Sequence, residues 1–132
     1  MPNAADLLTD HPDKSTFDLH ELSRAIQACL DCAAACSTCA DACISEEGVA
    51  DMRTCIRLDL DCADICVATA KILARPSPGS DTWRKLVETC ARACRECAEE
   101  CERHVAHKHC QQCAQICREC EAACQQLLTA AA

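Results

Sequence analysis

CLDCAAACSTCADAC at residues 29–43 and CQQCAQICRECEAAC at 110–124 carry cysteine at spacings 3, 4, 3, 4. CARACRECAEEC at 90–101 repeats the rhythm as 4, 3, 4, and CIRLDLDCADIC at 55–66 keeps it more sparsely, as 7, 4. Alternating steps of three and four are the a/d pattern of a helical seam. Residues so spaced lie on one face of an α-helix. The four stretches therefore predict four helices, each with a thiol stripe: Cys29, Cys32, Cys36, Cys39 and Cys43; Cys55, Cys62 and Cys66; Cys90, Cys94, Cys97 and Cys101; Cys110, Cys113, Cys117, Cys120 and Cys124.

The surrounding sequence agrees. Between the stripes stand Ala, Leu, Glu, Arg and Gln, which are good helix formers. Breakers are few and well placed: Pro12, Gly48 in SEEG at 45–48, and Pro76, Pro78 and Gly79 in RPSPGS at 75–80. Asp18 with Glu21, and the Ser80/Asp81/Thr82 cluster, read as helix starts. The expected helices run over 18–45, 49–74, 81–105 and 108–128. The third connection has no Gly or Pro and is placed near Val105–His109, because one continuous helix would leave its cysteines unpaired. Short connections make neighbours antiparallel. The expectation is an all-α, up-down-up-down four-helix bundle with a Cys-lined core over 18–128. An N-terminal segment, 1–17, carries a short extra helix at 3–9, and a tail follows at 129–132.

Composition says what fills the core. The chain has 132 residues, one domain's worth, with 17 Cys, one Trp, one Phe and no Tyr. Leu, Ile, Val and Phe together number only 22. With a net charge of −8, so little apolar bulk would ordinarily mean disorder. Cysteine is the only residue numerous enough to build the interior. Acidic charge and scarce aromatics argue against a nucleic-acid partner. No apolar run reaches the roughly 18–20 residues of a membrane span. The N-terminal residues lack a basic and apolar secretory pattern or a twin-arginine pair, so the expected location is the cytoplasm, where thiols stay reduced.

Buried thiol can serve as a small hydrophobe. Leucine buries more area, however, so 17 oxidisable side chains call for another reason. In-helix disulfides fit poorly: Cβ atoms at i,i+3 or i,i+4 lie roughly 5–6 Å apart, and a disulfide needs roughly 3.5–4.5 Å. Metal is the stronger reading. Soft Cu(I) suits thiolate, accepts two or three sulfurs and tolerates bridging. One Cu⁺ replacing one thiol proton keeps a dry core neutral. If each thiolate bridges two ions and each ion takes two thiolates, capacity is about 17 Cu(I) per chain. Zinc prefers isolated tetrahedral sites and leaves excess charge. Iron–sulfur clusters use loop ligands around a compact core. A zinc buffer, a thiol redox protein and an iron–sulfur protein stand as alternatives. No phosphate loop or nucleophile–base pair suggests an enzyme.

The two ends differ. Seam phase places Leu22, Ile26, Leu73, Trp83, Val87 and Leu127 or Leu128 at one end, an apolar plug. At the other it places Met52, His104 and His107, with His109 nearby, and Asp59 in the gap between Cys55 and Cys62. Met and His ligate Cu(I), so this end is expected to be a mouth where metal is captured.

The C-x2-C-x3-C-x2-C-x3-C runs at 29–43 and 110–124, with C-x3-C-x2-C-x3-C at 90–101, resemble the bacterial four-helix-bundle copper storage proteins, in their cytosolic branch. The resemblance covers about 18–128. It implies Cu(I) storage by the 17 cysteines, a homotetramer, and a His-containing open end with His104 as its foremost ligand. Asp59 interrupts the sparsest stripe.

Overall fold

The computed structural model describes residues 1–13, 17–76 and 79–130; Pro78 and the last two residues of the expected tail lie outside these. Five α-helices follow in order: α1 (Ala4–Thr9), α2 (Leu19–Ile44), α3 (Arg53–Leu73), α4 (Thr82–Glu102) and α5 (Lys108–Ala130). Among the described residues there is no strand. Helices α2 to α5 form the bundle. Each packs on two others, in the ring α2–α3–α4–α5–α2, and the diagonal pairs stay more than 8 Å apart between Cα atoms.

Local chemistry sets the boundaries. Asn3 and Asp6 form a reciprocal capping box at α1: the Asp6 N–H donates to Asn3 Oδ1 at 3.2 Å, and the Asn3 N–H donates to Asp6 Oδ2 at 2.8 Å. At α2 the Asp18 carboxylate accepts from the His20 and Glu21 N–H groups at 3.0 and 3.1 Å. The second bundle helix begins later than the sequence suggests. Val49–Met52 is a 3₁₀ turn, and Arg53 opens α3, because neither Gly48 nor Met52 supplies a side-chain cap. Helix α4 ends at Glu102, a turn's length before the expected boundary, and the connection runs over 103–107. Helix α5 continues to Ala130.

The interior has two parts. At the closed end, Leu22, Leu73, Val87 and Leu127 are buried, with Ile26 beside them, and α1 lays Leu8 against α2. Trp83 and Leu128 are half-buried there, and Trp83 meets Phe17 edge to face at 5.0 Å. The remainder is cysteine, flanked by buried Ala33, Ala63, Ala91, Ala98 and Ala114, whose small side chains permit close helix approach. Conventional apolar bulk is thus concentrated at one end. Leu22→Ala is expected to cost about 2–5 kcal/mol in the metal-free protein, read from the denaturant midpoint. A loss below about 1 kcal/mol would mean that the plug is not what holds this end together.

Candidate metal centre

Because cysteine is short, thiols from diagonal helices reach each other across the axis. Cys29–Cys90, Cys32–Cys94 and Cys36–Cys97 join α2 to α4 at sulfur separations of 3.8, 3.9 and 3.9 Å. Neighbouring helices add Cys32–Cys62 at 3.8 Å, Cys62–Cys94 and Cys66–Cys90 at 3.7 Å, and Cys36–Cys117 at 3.5 Å. Pairs four residues apart continue the chain of contacts, as in Cys113–Cys117 at 4.0 Å. All 17 cysteines are buried free thiols. Their sulfurs form a column rather than separated sites. Overlapping groups, such as Cys32/Cys36/Cys62/Cys117 and Cys36/Cys97/Cys113/Cys117, each bring four sulfurs within 4.8 Å of one another. Separations near 4 Å are far beyond a sulfur–sulfur bond and match the span of two thiolates sharing one small soft ion.

Asp59 stands inside the column. Its carboxylate accepts from the Cys97 thiol at 3.1 Å, Cys113 at 3.5 Å, and Cys55 and Cys101 at 3.8 Å, with no solvent exposure. Burial, aided by negative charge at Cys113, pushes its carboxyl up to about 8. Asp59 therefore holds a proton at neutral pH.

At the open end the candidates separate. Met52 is buried beneath its turn. His109 joins the thiols: its Nδ1 lies 3.5 Å from both Cys39 Sγ and Cys110 Sγ, and with Cys43 these make a four-donor group. Burial raises the Cys43 thiol and pushes Cys110 up to about 11. His107 instead meets a carboxylate, with Nδ1 2.5 Å from Glu46 Oε2, and its ring stacks on His109 at 5.6 Å. His104 Nε2 lies 2.8 Å from Glu100 Oε2. So one of the three histidines reaches sulfur directly and two are paired with Glu46 and the buried Glu100. Sequence reasoning missed both glutamates. Glu100 stands only four residues before His104, but His104 lies past the end of α4; Glu46 is brought over α5 only by the turn.

An all-α bundle with a continuous thiol column is built to hold soft metal ions. The chain belongs to the copper storage protein family, whose sequence model matches residues 18–129. The backbone is similar to that of the Streptomyces lividans copper storage protein Ccsp loaded with 10 copper equivalents: TM-score 0.93, 47% identity, covering 96% of this chain and 98% of that one. A five-copper form of that cytosolic protein gives a TM-score of 0.81 at 49% identity, over 83% and 93% of the two chains. Cu(I)-bound BsCsp3 matches with a TM-score of 0.75 and 36% identity, over 82% of this chain and 98% of that one. The cysteine-rich Bacillus subtilis protein YhjQ, itself uncharacterized, is 40% identical over 86 residues, 65% of this chain and 76% of its own length.

Proposed function

We propose that this protein stores Cu(I) in the cytosol, with the thiolates of the column as the store. The observation that carries the reading is the column of sulfurs along the bundle, with pairs 3.5–4.0 Å apart and overlapping four-donor groups within 4.8 Å. Each Cu⁺ displaces a thiol proton, which leaves as binding proceeds. A filled core is then as neutral as an empty one, and filling carries no burial penalty from net charge. Storage needs no catalytic step. Asp59 takes part as a proton-holding oxygen donor among Cys55, Cys97, Cys101 and Cys113. His109, with Cys39, Cys43 and Cys110, forms the nitrogen-containing group at the open end. Met52, His104 and His107 complete that end, the two histidines held by Glu100 and Glu46 until metal arrives. Family membership and the cytosolic Streptomyces relative support the location. Assembly as a homotetramer is part of the same proposal.

Anaerobic titration of the reduced protein with Cu(I), against a competing chelator, tests it. The expected endpoint is near the thiol count, about 17 ions per chain. Saturation at one or two ions would make the column mere packing and return the molecule to a chaperone or redox reading. Brown colour on isolation would favour an iron–sulfur protein.

A further inference from the structure

The ring of His109 meets donors of two kinds. Its Nδ1 lies 3.5 Å from both Cys39 Sγ and Cys110 Sγ, and those sulfurs are 3.9 Å apart. Its Nε2 is buried, has no hydrogen-bond partner among the described residues, and lies 4.0 Å from Glu46 Oε2. The same carboxylate oxygen is 2.5 Å from His107 Nδ1, and the two imidazoles stack at 5.6 Å. One oxygen and two ring nitrogens thus gather beside the sulfurs, on a partly exposed surface. Backbone bonds hold the pieces in place: the Glu46 N–H donates to Cys43 O at 3.2 Å, and the His107 N–H to His104 O at 3.0 Å. Neighbouring ligands of a first-row divalent ion, each roughly 2.0–2.1 Å from the metal, stand about 3 Å apart. The two distances from Glu46 Oε2 bracket that spacing. A carboxylate with two imidazoles is a poor match for Cu(I), which takes soft sulfur. It suits a borderline divalent ion, and Cu²⁺ is the most tightly held of these.

From this we infer a second activity at the open end: Glu46, His107 and the Nε2 of His109 capture oxidised copper, Cu²⁺, and the Cys39–Cys110 thiol pair reduces it. Only the fate of the reduced ion rests on the storage reading. His109 joins the two places. With metal on Nε2, the ring's proton sits on Nδ1 and is donated toward the sulfurs, which fixes the ring between ion and reductant. The Glu46 carboxylate offsets part of the dipositive charge. The electrons come from the thiols. Cys39 and Cys110 each give up one proton and one electron; two Cu²⁺, arriving in turn, become two Cu⁺; the two sulfurs join as a disulfide; two protons leave. The sulfurs must close by roughly 2 Å to form that bond. Reduction also drives the ion inward, because Cu⁺ prefers the sulfurs of the column to the oxygen and nitrogens it leaves. Zn²⁺ fits the same three ligands but accepts no electron, so it competes for capture and is not converted.

Anaerobic mixing of the reduced, metal-free protein with two equivalents of Cu²⁺ as its glycine complex, freeze-quenched for electron paramagnetic resonance, tests it. The parent should show a Cu²⁺ signal with nitrogen coupling that decays as Cu⁺ forms. Free thiols should fall by two from 17, one for each electron. Peptide mapping after alkylation should join Cys39 to Cys110. Glu46→Gln should slow the decay at least about tenfold, whereas Glu47→Gln, the next residue in the same exposed turn, should decay at the parent rate. Cys39→Ser keeps the three capturing ligands, so its signal should form and last at least about tenfold longer. A parent signal that persists, a disulfide formed elsewhere in the column, or equal decay in the parent and Glu46→Gln overturns the proposal. A Cu(I) endpoint of one or two ions strikes the storage reading instead, and the decay rates still judge the reduction.

Discussion

Filling the store will raise the thermal midpoint by tens of degrees. The metal-free bundle is held by an unusual interior. Leu22, Leu73, Val87 and Leu127 anchor one end, while the length of the column is thiol against thiol. Buried cysteine contributes less than leucine, because it removes less apolar area from water, and S–H donors are weak. No disulfide restrains the unfolded chain, since all 17 thiols are free. Metal changes this balance. Ligands brought together by four helices exist as a set only in the folded state, so binding energy becomes folding energy. A site occupied at 100 times its dissociation constant adds about 2.7 kcal/mol. Three such sites give about 8 kcal/mol, and at roughly 3 °C per kcal/mol for a chain of this size the shift exceeds about 20 °C. Calorimetry of the metal-free and Cu(I)-saturated protein under anaerobic conditions reads it directly. Equal midpoints would mean that the unfolded thiols bind copper as well as the bundle does, and that the column geometry adds nothing. The size of the shift should also follow loading, because each layer of sulfurs ties α2 to α4 at a different height: Cys29–Cys90 near the plug, Cys32–Cys94 and Cys36–Cys97 further along.

The cysteine rhythm made four helices and one thiol column readable from the sequence, because heptad phase maps directly onto a packed face. The asymmetry of the ends was readable for the same reason: extending phase from Cys29 reaches Leu22 and Ile26 within one continuous helix. Phase counting failed where the helix stops. His104 and His107 were placed by counting from Cys101 and Cys110, yet both lie in the 103–107 connection, where no helical register applies. Their partners, Glu100 and Glu46, follow from how the chain turns. His109 gave the weakest signal, one residue off the seam, and yet it reaches Cys39 and Cys110, because at the first turn of α5 adjacent positions both face the open end. Met52 was read as helical and sits in a 3₁₀ turn instead.

Asp59→Asn is expected to stabilise the metal-free protein at pH 8 and to flatten its stability between pH 5 and 8. In the unfolded chain this carboxyl ionises near its ordinary value of 3.8; in the fold, burial and the Cys113 charge hold it up to about 8. Below the lower value both states keep the proton, and Asp59 contributes no pH dependence. Across the window from about 4 to about 8 the unfolded state ionises while the folded state does not, so folding must retain a proton that water would take. Stability contributed by this group is therefore full at the acid side of the window and is lost as pH rises toward 8. Asparagine has nearly the same shape and never ionises, so it removes the slope. The variant should melt at least about 5 °C above the parent at pH 8, with a much smaller gap at pH 5. Parallel melting curves across the range would show that Asp59 reaches water or ionises without cost inside the bundle. The same variant bears on the store. Asp59 supplies one oxygen donor amid the 17 sulfurs, so Asp59→Asn should leave the copper endpoint near the thiol count. A large loss of capacity would instead make the carboxylate indispensable to the sulfurs around it, Cys55, Cys97, Cys101 and Cys113.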